Sequence, residues 1–127
     1  LCLYAGAGTD KQKRYTIEHC YRILDDCVYG IPSLDPNHES FESERYWRGP
    51  VWLIMNYMIL VGLENEKEYL LAKRIKNDTI RLTDVGGMFE YFDPLTGKGL
   101  GGKNFSWTAA IFLKLCGESF DFQLFNN

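Results

Sequence analysis

Pro50-Val51-Trp52-Leu53-Ile54-Met55-Asn56-Tyr57-Met58-Ile59-Leu60-Val61-Gly62 is apolar at nearly every position between its proline and its glycine, with Asn56 the one interruption. A proline suits the first turn of a helix, where its missing N–H has no partner to lose, and a glycine suits the position just past the last turn. The stretch therefore predicts a helix beginning at Pro50 and stopping at Gly62. Its apolar residues face all directions rather than one stripe, so such a helix is stable only if buried on every side. It is far shorter than the roughly 20 apolar residues that cross a membrane. The reading is an inner helix of a helical assembly.

The flanking segments read differently. Thr9 and Gln12 have the spacing of a capping box, and Ile17, Cys20, Tyr21, Leu24 and Val28 recur at intervals of three and four among Lys11, Lys13, Arg14, Glu18 and Arg22. This predicts a one-sided helix ending near Gly30. Beyond Gly62, Asn65 can cap a third helix with Leu71, Ile75, Thr79 and Leu82 on one face and Lys73, Arg74, Lys76 and Asp78 opposite. Ser106 can cap a last apolar helix from Trp107 to about Cys116, with Gly117 as terminator. Between helices lie two long loops, 31–48 and 86–105, the second holding six glycines and Pro94; loops of that length in compact domains usually carry function.

One-sided and all-round apolar helices thus alternate as outer, inner, outer, inner, with about 56 residues from one amphipathic helix start to the next. Two concentric rings of helices require that pattern. The expected fold is all-α, a C-terminal portion of an (α/α)6 toroid with about two helical hairpins present, and residues 1–127 form part of one catalytic domain. Six hairpins need roughly 300 residues or more, so two would leave apolar surface uncovered.

Composition excludes other classes. The chain has 127 residues, 46% hydrophobic and 15% aromatic, with 14 Lys and Arg against 17 Asp and Glu and a net charge of -3. No basic run offers a footprint for nucleic acid or anionic lipid, so neither nucleic acid nor a membrane is expected as partner. Cys2, Cys20, Cys27 and Cys116 contain no C-x-x-C pair, and His19 and His38 are the only histidines. Reduced thiols follow, with no metal or cofactor expected and a cytoplasmic setting. His38 and Glu39 read as solvated loop residues. Gly99, Gly101 and Gly102 lack the Lys-Ser/Thr order of a phosphate cradle and read as close backbone packing.

Both loops deliver unusual residues ahead of an apolar helix. The first delivers Tyr46-Trp47-Arg48-Gly49-Pro50-Val51-Trp52. Aromatic faces stack on the C–H faces of sugars, and Arg forks to hydroxyls or carboxylates, which suits a small carbohydrate; the same tryptophans could equally be core, with Arg48 bridging a loop. The second delivers Met88-Phe89-Glu90-Tyr91-Phe92-Asp93-Pro94-Leu95-Thr96-Gly97. Glu90 is one carboxylate among large apolar neighbours, an environment expected to disfavour its charge and suit acid or base chemistry; a carboxylate facing water at a strand end is the competing reading. Asp93 is read as a turn former.

Gly30-Ile31-Pro32-Ser33, Tyr46 to Trp52 with Asn56, Phe89-Glu90-Tyr91, and Asp93 to Gly97 running on to Gly101-Gly102-Lys103-Asn104-Phe105-Ser106-Trp107-Thr108-Ala109-Ala110 together resemble the (α/α)6-barrel glycosidases of the trehalase and glycoside hydrolase family 63 group. The likeness is nearest to bacterial mannosylglycerate and glucosylglycerate hydrolases. It implies an inverting hydrolase of an α-glucoside or α-mannoside, with Glu90 as general base and Tyr46, Trp47, Arg48, Gly49 and Trp52 along the sugar wall. The group's general acid is an aspartate in an upstream Trp-x-Ser-Gly-x-Asp-Asn-Ser-Pro-like segment with no counterpart here, which implies an acid outside this chain. The alternative is a non-catalytic helical module that binds carbohydrate or serves structure. Other helical toroids, such as terpenoid cyclases, share the architecture, but their Asp-rich or zinc-binding sets are not in this sequence.

Overall fold

The computed structural model describes residues 1–124. Four helices and one small hairpin follow in the order α1 (Asp10–Asp26), α2 (Leu53–Asn65), α3 (Tyr69–Gly86), β1 (Phe89–Phe92), β2 (Gly99–Lys103) and α4 (Ser106–Leu124). The antiparallel pair β1–β2 corrects the purely helical expectation: the glycine-rich second loop folds back on itself as a hairpin.

The capping box at the start of α1 is present in both directions, with Gln12 N–H donating to Thr9 Oγ1 (3.4 Å) and Thr9 N–H to Gln12 Oε1 (2.8 Å). The helix stops at Asp26, before Gly30, because the next amides are taken elsewhere: Val28 and Tyr29 N–H both donate to the Pro94 carbonyl (3.1 and 3.0 Å). The first helix end is thereby tied to the turn of the hairpin.

α2 departs from expectation at both ends. Pro50 is not its first residue. Val51 exchanges both backbone hydrogen bonds with Phe92 (2.7 and 2.9 Å) as an isolated antiparallel bridge, which holds Trp52 extended and delays the helix to Leu53. At the other end Gly62 is a packing residue rather than a terminator: a Cβ there would lie 2.6 Å from the Tyr4 nitrogen and 2.8 Å from Leu3 Cβ. The helix runs on to Asn65, so Asn65 caps nothing and Glu68 precedes α3 instead. Within α2, Leu53, Asn56, Leu60 and Leu63 are buried, while the remaining apolar flank is half-covered.

α3 buries the expected face of Leu71, Ile75, Thr79 and Leu82. Asp78, expected on the charged face, is 2% exposed. Its burial is offset by Arg74 Nε (2.6 Å), Arg81 (3.6 Å) and the Gly30 N–H (3.3 Å), the partners a buried carboxylate requires. α4 does not end at Gly117 but passes through it. Its buried residues Thr108, Ile111 and Leu115 form one stripe, and Trp107 and Leu113 are exposed. Residues from all four helices share one apolar core, including Ile23 and Leu24, Leu53 and Leu60, Leu71 and Ile75, and Ile111 and Leu115. No helix among the described residues is long and apolar enough to cross a membrane.

Candidate active site

The two unusual segments meet through the Val51–Phe92 bridge. Phe92 is fully buried, and Tyr91 beside it on the strand is carried against Tyr46 and Trp52. Trp52 stacks on Trp47 at 4.1 Å with 3° between planes, and on Tyr91 at 5.0 Å and 26°. Tyr46 sets its ring edge-on to Trp47, Trp52 and Tyr91 at 5.9, 5.2 and 5.5 Å. These are favourable aromatic geometries. Tyr46 adopts φ +36, a left-handed backbone that non-glycine residues rarely take, and the Trp52 Nε1–H donates to its carbonyl at 3.3 Å.

The five wall residues differ in what they present. Tyr46 and Trp47 are about half exposed and offer ring surface to solvent, whereas Trp52 is 4% exposed and supports the other rings from beneath. The Arg48 guanidinium is ion-paired with Glu42 and lies half exposed. The same two residues are joined through the backbone, Glu42 N–H donating to the Arg48 carbonyl at 2.8 Å. Gly49 is buried where a Cβ would fall 2.1 Å from the Glu42 carbonyl oxygen, and its N–H donates to Ser33 Oγ at 3.1 Å. Its contribution is close passage of the chain. Tyr91, not singled out in the sequence, completes the aromatic group; its pairing with Trp52 depends on a long-range bridge that no local spacing reveals.

A hollow of about 230 Å³ lies beside the tryptophan stack, lined by Ile31, Pro32, Ser33, Trp47, Trp52 and Met55 among others. That is below the roughly 300–1,000 Å³ usual for ligand pockets, so these residues form a wall rather than a whole pocket. A larger hollow of about 390 Å³ is lined by charged residues of α1 and the α2–α3 corner and shares no residue with this wall.

Glu90 is half-buried on β1 and accepts the Gly102 N–H on Oε2 at 3.1 Å. Its strand is fixed on both sides, by Thr108 Oγ1 donating to the Phe89 carbonyl at 2.6 Å and by the Phe92 bridge. Burial, and then the neighbouring Glu90 charge, push the Tyr91 phenol above its ordinary value, so it remains a neutral hydroxyl. Asp93 is a turn former as expected: it is buried and accepts Leu95 N–H (3.0 Å) and Thr96 Oγ1–H (2.7 Å). His38 is exposed in its loop, accepting Ser40 N–H at 3.1 Å. Among the described residues no three His, Cys, Asp or Glu side chains are placed to hold a metal ion.

A family profile described as the mannosylglycerate hydrolase MGH1-like glycoside hydrolase domain matches residues 1–108. Mannosylglycerate hydrolase MGH1 of Selaginella moellendorffii is 49% identical over 113 residues, covering 89% of this chain and 23% of that protein. The mannosylglycerate hydrolase of Thermus thermophilus is 43% identical over 109 residues, covering 84% of this chain and 26% of that one. Among solved structures, the GH63 mannosylglycerate hydrolase from Thermus thermophilus in complex with glucose superimposes with a TM-score of 0.83 at 38% identity, over 91% of this chain and 29% of that chain. The chain spans about a quarter of the length of the curated relatives it matches.

Proposed function

The chain belongs to the mannosylglycerate hydrolase MGH1-like family of glycoside hydrolases, and from that premise we propose that it is the C-terminal part of an (α/α)6 catalytic domain that hydrolyses an α-mannoside or α-glucoside with inversion. Glu90 is the general base. The observation that supports this reading is the Val51–Phe92 bridge, which joins the strand carrying Glu90 to the segment carrying the tryptophans, so that Tyr91, next to Glu90, packs on Tyr46 and Trp52.

In this mechanism Tyr46 and Trp47 receive the sugar, and Trp52 and Tyr91 hold them in place. Ionised Glu90 takes a proton from a water molecule as that water attacks the anomeric carbon, while an acid supplied from outside this chain protonates the leaving oxygen. The two carboxyl groups of an inverting pair stand roughly 6.5–9.5 Å apart to admit the water. Asp93, three residues away and fully used within its turn, does not serve as that acid. No step calls for a metal or organic cofactor. The setting proposed is cytoplasmic, on the sequence alone: four cysteines with no C-x-x-C pair suit a reducing compartment.

Glu90→Gln in the full-length protein tests the assignment. Removing a general base is expected to lower kcat by about 10²–10⁴-fold while substrate still binds, as measured by calorimetry. Turnover at the unsubstituted rate would remove Glu90 from the mechanism.

A further inference from the structure

We infer that the glycine bulge on β2 is a positioning device for Glu90, in which the Gly102 N–H aims the carboxylate and Gly101 makes the space it occupies. The inference rests on the reading of Glu90 as the base.

The bulge is visible in the register of the hairpin. Phe89 pairs with Lys103 and Tyr91 with Leu100, so one residue of β1, Glu90, faces two of β2, Gly101 and Gly102. Gly101 has φ +74, the left-handed first position of a bulge that only glycine fills without strain. Conformation is half of the requirement. A Cβ on Gly101 would lie 2.7 Å from Glu90 Oε2, 2.9 Å from Glu90 Cβ and 2.6 Å from Tyr91 Cε1, so any side chain there displaces the carboxylate or the ring beside it. The second bulge residue turns its N–H onto Glu90 Oε2 at 3.1 Å.

A glutamate on a solvent-facing strand otherwise samples several rotamers, each with its carboxylate in a different place. A fixed backbone donor on Oε2 selects one of them. The donor engages Oε2, and on the reading of Glu90 as base the other oxygen, Oε1, is the one that would take the proton from water. With the strand pinned at Phe89 and Phe92, the bulge fixes the remaining freedom, that of the side chain. Bulges recur beside active sites because they re-aim a side chain in this way.

The test uses the full-length protein and an α-glycosyl fluoride of the sugar it turns over. Incorporating glycolic acid at position 102 replaces the N–H with an ester oxygen and adds no side chain. Loss of one hydrogen bond to a charged group predicts a fall in kcat of about tenfold with KM within about threefold. In a Glu90→Ala background, with turnover restored by sodium azide, the same replacement causes no further fall, since no carboxylate is left to aim. Gly101→Ala, checked for folding by its thermal midpoint, lowers kcat roughly hundredfold by misplacing Glu90. An ester variant with full kcat, or one that loses the same factor with and without Glu90, overturns the inference. Full activity in Glu90→Ala alone instead overturns the base assignment, so the two failures are distinguishable.

Discussion

Tryptophans 47 and 52 lie parallel 4.1 Å apart, yet substitution of each should read out in a different assay. Trp52 is 4% exposed and packs against Tyr46, Trp47 and Tyr91, so Trp52→Ala leaves a void and costs about 3–5 kcal/mol of stability, measured by denaturant unfolding. Trp47 is 46% exposed. Trp47→Ala is expected to raise KM by roughly 2- to 10-fold through lost stacking, with a small change in stability. The cysteines offer a second residue-scale check. Burial pushes the thiols of Cys20 and Cys27 up to about 11. A raised folded-state value means that stability from keeping these thiols neutral is fully present below the ordinary thiol range and is lost as pH climbs towards 11. The unfolding midpoint should therefore fall between about pH 9 and pH 11, and alkylation at pH ~8 should reach exposed Cys2 well before Cys20 or Cys27.

Among the elements, α2 is joined to the first loop through one polar side chain. Asn56 is fully buried; its Oδ1 accepts Ile31 N–H and its Nδ2 donates to the Ile31 carbonyl, both at 2.8 Å, so it satisfies both backbone groups of Ile31. Asn56→Leu should cost about 1–3 kcal/mol for each group left unpaired, visible as a lower unfolding midpoint. The sequence displayed Asn56 as an interruption in an apolar run without indicating its partner, 25 residues away. What is local was legible: the capping box of α1, the buried face of α3 and the Asp93 turn all follow from spacings of a few residues. What is long-range was not. The start of α2 is set by Val51 pairing with Phe92, the end of α1 by the Pro94 carbonyl, and the burial of Asp78 by Gly30 and two arginines. The hairpin itself was hidden because glycines dominate β2, and glycine carries no strand periodicity to read.

For the whole molecule, alternation of helix types leads to the expectation of a larger assembly, and exposed apolar side chains are where further helices would pack. Trp107 at 59% and Leu113 at 69% exposure lie on α4, and exposed apolar residues of this kind suit burial against a further surface. The 127-residue chain alone should bind a hydrophobic dye strongly and hydrolyse no glycoside; weak dye binding and measurable turnover would show a self-sufficient unit. On the proposed reading the cluster of Tyr46, Trp47, Trp52 and Tyr91 supplies a wall and Glu90 a base, with the acid coming from outside this chain. Catalysis on this reading depends on Glu90 activating water on the face opposite the leaving group. Glu90→Ala in the full-length protein, supplied with an α-glycosyl fluoride and sodium azide, a nucleophile that needs no deprotonation, tests that dependence without intermediaries. Turnover should be lost, and azide should restore it with a β-glycosyl azide as product; undiminished hydrolysis without azide, or an α-azide, would refute the role given to Glu90.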